Sequence, residues 1–584
     1  MESGAVFMVL HKILEEKLQQ ALRAVLPDAE ASTVLLRPCP DTKFGDYQSN
    51  ALMALAKARK MNPRKLATDV AAKLDLGGLC EPVEVAGAGF LNFRLTPAAL
   101  ADALLQAAQG EHLFFQKTTA PRTLVVDFSS PNVAKPMHVG HIRSTILGDT
   151  LARLLRLLGH HVVTDNHIGD WGTQFGKLLV GWKTQLDAEN LRADPIAEME
   201  RLYKAVNAQC ETNSEVLEKA RQELVKLQSG DAENLRLWRE MIALSESQFE
   251  RVYSRLGVRF DHCYGESFYN PQLKTVVDEL AERGIAQPSE GAMAVFFEEM
   301  PELKAHPALV RKSDGGYNYT TTDLATLLFR WQGGASPRPP DEIVYVTGAP
   351  QQLHFQQCFA IFRRWHPEAR LKLSHVWFGS ILGEDGKPFK TRAGDTVRLE
   401  DLLDEAEERA FQVVSAKNPD LSDAQRREIA RAVGLGSIKY ADLSQNRQSD
   451  YVFSWDRMLA LQGNTAPYLL YAYARVRSIF RKGGEETSRA AAPFVLTAPE
   501  EALLARHLMN FGFSLEAAAD DYRPNFLCSY LYELAGHFAR FYENCPVLKA
   551  DEATRGTRLA LCDLTARVLQ QGLTVLGIEA VEQM

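Results

Sequence analysis

The segment Asp127-Phe-Ser-Ser-Pro-Asn-Val-Ala-Lys-Pro-Met-His-Val-Gly-His141 joins a nearly all-apolar run, Leu124 to Phe128, to a long helical pattern. That pattern runs from about Met137 to Leu158 and stops at Gly159. So apolar a run suits a strand buried on both faces of a parallel sheet. The next strand reads as His161 to Asp165, which commits the chain to a βαβ unit with a right-handed crossover. Ligands of open α/β sheets bind where a strand gives way to a helix, and the N–H groups of the helix start favour phosphate. His138 and His141 share a face of the first turn, and Gly140 between them lets a base or ribose approach the backbone. Two imidazoles so placed can donate to a triphosphate as charge builds in a transition state. Taken alone, the His-x-Gly-His pattern reads equally well as two surface histidines capping a helix.

The third parallel strand, Ile343 to Val346, comes about 170 residues later, far beyond an ordinary connecting loop. A large insertion therefore interrupts the α/β domain. It begins charged and helical (Glu215 to Gln228) and ends in short strands such as Ala294 to Phe297. Alternation then resumes with a helix over Phe355 to Trp365 and a strand over Val376 to Phe378. Beyond it, Gly386-Lys387-Pro-Phe-Lys390-Thr-Arg392 sets three cations within a glycine-bounded loop. Such a loop is suited to clamping a leaving pyrophosphate, although by itself it reads as a solvated turn. Upstream, residues 1–118 read as a small α+β domain, with a helix over Tyr47 to Arg59 and strands at Val83 to Val85 and Phe90 to Arg94. Downstream, the chain is nearly all helical. Leu527, Tyr530, Leu531, Leu534, Ala535 and Phe538 mark one apolar helix face, Leu561, Leu564 and Val568 another, and Gly483 to Ala492 reads as a loop.

The 584 residues, 46% hydrophobic and 24% charged, suffice for several packed cores without disulfide or metal staples. The eight cysteines include no Cys-x-x-Cys pair, as suits a reducing compartment, and no metal-ligand set is expected. The first residues lack the basic start and long apolar stretch of a leader, and no apolar run is long enough to span a membrane; a cytoplasmic location is expected. The net charge of −8 argues against a surface that binds nucleic acid everywhere, while leaving room for a local basic path. Gly172 to Lys177 imitates a phosphate loop but is one residue short, with Leu178 where a hydroxyl is needed. His160, His161 and His167 have no cysteine or close carboxylate to complete a metal set, so strand and turn roles are expected of them.

His-x-Gly-His after the first strand, a long insertion and a lysine-bearing loop after the last resemble the class I aminoacyl-tRNA synthetases. The resemblance tightens to the bacterial-type arginyl-tRNA synthetases through FSSPNVAKPMHVGHIRST, NHIGDWGTQFG, GGYNYTTTDLA, GKPFKTRAGDTVRLEDLLDEA and GNTAPYLLYAYARVRSI, in that family's order. The ending Val581-Glu-Gln-Met584 is similar to that family's chain end. The match covers the whole chain. It implies a Rossmann-like catalytic domain over 119–398 with an insertion at about 180–340. It further implies an N-terminal α+β tRNA-binding domain over 1–118, a helical linker over 399–450 and an all-α anticodon-binding domain over 451–584.

The resemblance also implies roles. His138, Gly140 and His141 would bind ATP, with Lys387 and Lys390 from the signature loop, and Lys135 looks like the family lysine that holds the triphosphate. The loop departs from the general Lys-Met-Ser-Lys-Ser form, which leaves the division of labour among Lys135, Lys387 and Lys390 open. Asp127, Ser130, Asn132, His141, Tyr319, Asp323 and Gln351 match arginine-binding positions. A guanidinium presents five donors that carboxylates and a phenol can satisfy, whereas lysine would leave acceptors unpaired. Asp323 and Tyr319 stand one helical turn apart. Phe90 and Asn92 match positions that read a tRNA elbow nucleotide, and Tyr468, Tyr471 and Tyr542 fall where the family stacks anticodon bases. Core packing is the competing reading for each tyrosine. Magnesium should accompany ATP, and a monomer is expected. Other class I synthetases, small His-x-Gly-His nucleotidyltransferases and a non-catalytic tRNA-binding paralogue are the competing readings. The insertion and helical domain argue against the small enzyme, and the intact His138, Gly140, His141 and Lys390 argue against the paralogue.

Overall fold

The computed structural model describes residues 9–110, 112–389, 397–484 and 494–584. The chain forms two compact units, one from Met1–Thr118, Ala416–Gln425 and Leu459–Met584, the other from Thr119–Ser415 and Arg426–Met458.

In the first unit, β1 (Arg37–Pro38), β2 (Tyr47–Ser49), β3 (Glu84–Ala86) and β4 (Phe90–Phe93) form an antiparallel sheet in the order β1-β2-β4-β3. Helices Leu10–Val25 and Pro63–Ala71 belong to the same α+β fold. The helix expected from Tyr47 starts later, at Ala51. Tyr47, Gln48 and Ser49 instead pair with Phe93, Asn92 and Leu91, and the ladder overrides local helical preference. The downstream part is helical, with Ala466–Gly483, Pro499–Met509, Phe511–Asp520, Asn525–Asn544 and Glu552–Val575. Every residue of the two apolar stripes is buried. The loop expected at Gly483 to Ala492 falls largely on 485–493, outside the described residues.

The second unit is built on a parallel sheet of β5 (Thr123–Phe128), β6 (His161–Asp165), β10 (Glu342–Val346) and β11 (Lys372–His375), in the order β11-β10-β5-β6. All six residues of β5 are buried, as a central strand covered on both faces requires. Between β6 and β10 lie long helices, including Gln174–Gln185, Pro195–Thr212, Ser214–Gln228 and Ala232–Leu256. A small antiparallel sheet of β7 (Gln287–Ser289), β8 (Ala292–Val295) and β9 (Ala308–Arg311) follows. The insertion shares a core with the main sheet: Tyr269, Leu273 and Val276 cluster with Val125, Ile343 and Trp365. The last parallel strand is Lys372–His375 rather than Val376 to Phe378, which makes only an isolated bridge to Gly348. Its polar residues suit an edge strand, which an apolar-run criterion passes over. Finally β12 (Ile381–Leu382) pairs in parallel with β13 (Tyr451–Val452).

Candidate active site

The loop leaving β5 carries three non-glycine residues at positive φ: Ser129 (73°), Ser130 (49°) and Ala134 (60°). Such backbone persists only where the surroundings over-determine it. Here the Ser129 N–H donates to Ser144 Oγ at 2.9 Å, that of Ser130 to Asn166 Oδ1 at 3.0 Å and that of Ala134 to Ser245 Oγ at 3.0 Å. Tyr253 Oη joins Ser129 Oγ at 2.8 Å and accepts from Asn166 Nδ2 at 3.1 Å. These partners come from three separate elements, so none was recognisable from the loop's own sequence.

The loop delivers the chain to helix Val139–Leu157, capped by His138. The Gly140 N–H donates to His138 Nδ1 at 3.1 Å, and the His138 N–H donates to His141 Nδ1 at 3.1 Å. The rings lie 4.0 Å apart between centroids. Burial, with Lys135 nearby, lowers the His138 pKa, and burial together with His138 lowers that of His141 to about 3. Both rings are therefore neutral at physiological pH. With each Nδ1 accepting, the single ring proton resides on each Nε2. The pair thus offers two neutral N–H donors beside the helix N-terminus. Gly140 is exposed, and a Cβ there would meet the His138 ring at 2.8 Å.

The ends of β5 and β6 carry a cluster of carboxylates. Arg330, wholly buried, ion-pairs with Asp127 Oδ2 at 2.7 Å and donates to Asp165 Oδ2 at 2.7 Å. Ser130 Oγ donates to the other Asp127 oxygen at 3.1 Å. Asp127 thus already holds a guanidinium, one supplied by the chain itself. Asp323, on helix Tyr319–Trp331, accepts from His354 Nε2 at 2.5 Å and has His167 Nε2 at 3.8 Å. Burial raises its pKa, but the His354 hydrogen bond and the charges of His354, His167 and Arg330 outweigh this and leave it lowered. Glu266 makes no ion pair among the described residues. Burial, reinforced by Asp323 and Asp170 and opposed by His167, lifts its pKa to about 7. A half-buried carboxyl group whose pKa is raised beside other carboxylates is suited to meeting a cation. Tyr319 is 63% exposed, with its ring edge-on to His354 at 4.8 Å. Asn132 and Gln351 are also exposed, Asn132 paired with Gly169 and Gln351 ending the short turn after β10. Glu266, Arg330, His167 and His354 were not singled out from the sequence as pocket residues. The resemblance named Asp127, Ser130, Asn132, His141, Tyr319, Asp323 and Gln351 for the pocket, and the i, i+4 spacing of Tyr319 and Asp323 was the local signal beside it.

Lys135 is exposed, its ammonium 5.7 Å from the Tyr203 ring centre. Lys387 is exposed on a tight turn in which the Gly383 N–H donates to Lys387 O at 2.7 Å. Lys390 lies outside the described residues. The chain next described pairs with the histidine segment: Val139 N–H donates to Val397 O at 3.0 Å, and Leu399 N–H to Met137 O at 2.9 Å. Arg143, buried on the same helix, pairs with Asp442 at 3.1 Å.

In the first unit, Tyr471 and Tyr542 are 41% and 40% exposed, with the Arg475 guanidinium over both rings at 4.7 and 5.4 Å. Tyr468 is half-buried against Tyr532, at 5.6 Å. Phe90 is half-buried, and Asn92 is buried with an Oδ1 that lacks a hydrogen-bond partner.

A neutral histidine pair at a helix N-terminus, over the carboxyl ends of a parallel sheet and beside a buried acidic pocket, is the arrangement of a class I synthetase. Residues 100–455 match the family described as tRNA synthetases class I (R), catalytic domain. Residues 12–95 match the arginyl tRNA synthetase N terminal domain and 469–584 the DALR anticodon binding domain. The chain belongs to the arginyl-tRNA synthetase family. It is 46% identical to the arginine–tRNA ligases of Chromobacterium violaceum and of Escherichia coli, over 99% of this chain and 100% of each relative. The crystal structure of arginyl-tRNA synthetase from Plasmodium falciparum is similar at a TM-score of 0.80 and 28% identity, covering 100% of both chains. The Thermus thermophilus arginyl-tRNA synthetase structure reaches 0.81 at 27% identity, over 98% of this chain and 100% of that one. No helix among the described residues is long and apolar enough to cross a membrane.

Proposed function

We propose a two-step reaction in which each part of the site has a defined task. As a member of its family, the chain is an arginine–tRNA ligase that uses ATP to charge tRNA with L-arginine for protein synthesis. In the first step an arginine carboxylate oxygen attacks the α-phosphorus in line. The bond to the β-bridging oxygen breaks, giving arginyl-adenylate and pyrophosphate. The Nε2–H groups of His138 and His141 donate to the phosphates, Gly140 leaves room for the nucleoside, and Lys135, Lys387 and Lys390 offset charge on the departing pyrophosphate. In the second step the 2′-hydroxyl of the terminal adenosine takes the arginyl group and AMP leaves.

Asp323, Glu266 and Tyr319 meet the arginine guanidinium. Asp127, Ser130, Asn132, His141 and Gln351 position the rest of the amino acid, Asp127 chiefly by fixing Arg330 and the loop. The cations and imidazoles around the phosphates offer no oxygen ligands, so magnesium would arrive on the triphosphate and neutralise part of its charge. Phe90 and Asn92 contact the tRNA elbow, while Tyr468, Tyr471 and Tyr542 stack anticodon bases, with Arg475 and Tyr532 beside them. The enzyme works as a cytoplasmic monomer, a point that light scattering of the purified protein tests.

The observation that carries this reading is Asp323, a carboxylate fixed by His354 on the helix that also presents the exposed Tyr319, with Glu266, half-buried and without an ion pair among the described residues, under its charge. Arginine-dependent ATP–pyrophosphate exchange, with and without the matching tRNA and with lysine as control, tests it. Exchange with arginine alone among the two amino acids, followed by charging, is expected. Equal exchange with lysine contradicts the pocket assignment.

A further inference from the structure

Three side chains of the kinds that zinc prefers meet at one edge of the arginine pocket. Asp323, His354 and Cys358 present ligand atoms that all lie within 4.8 Å of one another. His354 and Cys358 are one turn apart on helix Gln352–Trp365, so their separation is set by the helix, and Asp323 faces them from helix Tyr319–Trp331. Tetrahedral zinc, with bonds of about 2.0 Å to nitrogen and 2.3 Å to sulfur, requires roughly 3.5 Å between the two ligand atoms. Cys358 Sγ is 3.6 Å from His354 Nε2 and 3.8 Å from Nδ1, so the imidazole has to turn its Nε2 toward the ion while the spacing of the two side chains is kept. The edge from nitrogen to a carboxylate oxygen should be about 3.3 Å. The Asp323–His354 contact, 2.5 Å with a proton between, has to widen by less than an ångström when the metal replaces that proton.

We propose that Asp323, His354 and Cys358 bind a zinc-class divalent ion, with water in the fourth position, and that this ion and the arginine guanidinium exclude each other. The proposal rests on the reading of Asp323 as a guanidinium ligand. A metal on Asp323 removes the carboxylate that the substrate needs and sets a cation where the guanidinium would sit. The Cys358 thiol gives up its proton on binding, and His354 presents an unprotonated Nε2 to the metal. Magnesium, which demands oxygen ligands and dehydrates reluctantly, does not fit this donor set, so the ion carried by ATP leaves the pocket open. The site is invisible in the sequence because Asp323 lies far along the chain from the His-x-x-x-Cys pair.

The test uses the full chain, freed of metal, with cobalt(II) and zinc as probes. Cobalt should give a sulfur-to-metal charge-transfer band that Cys358→Ala removes and that excess arginine diminishes in the unaltered protein. Zinc should raise the arginine KM of charging while kcat holds. In Cys358→Ala this inhibition should weaken by more than the tenfold or so that losing even an outer partner of a metal ligand costs, with metal-free charging retained. A band insensitive to arginine, or equal zinc inhibition of both proteins, overturns the proposal. Metal-free charging of the unaltered protein is read in the same series, so a failed metal site is distinguished from a failed arginine pocket.

Discussion

The acidic pocket of the sheet unit and the tyrosine face of helices Ala466–Gly483 and Asn525–Asn544 are organised in opposite ways. In the pocket the charged groups are withdrawn from solvent and most have partners: Arg330 and Asp165 are wholly buried, and Asp323, half-buried, is fixed by His354. On the tyrosine face Tyr471, Tyr532 and Tyr542 are 37–41% exposed on stable helices, and an arginine lies over two of them. A small charged substrate is recognised by desolvated, preorganised charge, so each pocket contact should count heavily. Unpaired bases are recognised by open π faces, each contributing modestly and with tolerance of sequence.

Substitutions and titrations at both regions probe this contrast. Asp323→Asn should lower kcat/KM for arginine by about a thousandfold, because it strips the charge from a buried pair, while leaving the tRNA KM alone. A comparable rise in the tRNA KM would erase the distinction between the two regions. His141→Ala should slow pyrophosphate exchange by about a hundredfold, measured at saturating arginine. The neutral ring also predicts that no break near pH 6.5 in the exchange rate traces to His141, whose pKa is held at about 3. Glu266 offers a graded test. Its carboxyl group titrates near 7, and only the ionised form attracts the guanidinium. The arginine KM should therefore rise about tenfold as pH falls from 8 to 6, and Glu266→Gln should flatten that profile at a higher KM. The smallest effects belong to the other region. Tyr471→Ala or Tyr542→Ala should each raise the tRNA KM by about fivefold, the low end for a stacked base, with tRNA-saturated kcat unchanged.

The sequence revealed elements whose signals are local. β5 announced itself by continuous apolarity, the helix after it by its length and stopping glycine, and the downstream helices by their stripes. Tyr47 escaped because a three-residue strand is defined by its partner across the sheet and not by its own residues. β11 escaped because an edge strand need not be apolar. At the site, His138, Gly140 and His141 were legible as a spacing, and Tyr319 with Asp323 as a helical turn. Their partners were not. Arg330 sits on the same helix as Asp323 but is committed to Asp127 and Asp165, two different strands. Glu266 gains its perturbed acidity only from burial and from carboxylates distant along the chain. Tertiary structure creates such properties, so no window of sequence contains them.

The strained turn after β5 bears on how this enzyme can be improved. A search for hardier variants would target Ser129, Ser130 and Ala134, since glycine accepts their positive φ without steric penalty. Yet Ser129 and Ser130 use their hydroxyls to fasten the turn to Tyr253, Thr145 and Asp127. Glycine would ease the backbone and loosen the moorings together. Relief of strain and loss of these hydrogen bonds therefore oppose each other within a few residues, so a strain-free turn is not a free gain in hardiness and its cost falls on the loop that delivers His138 and His141.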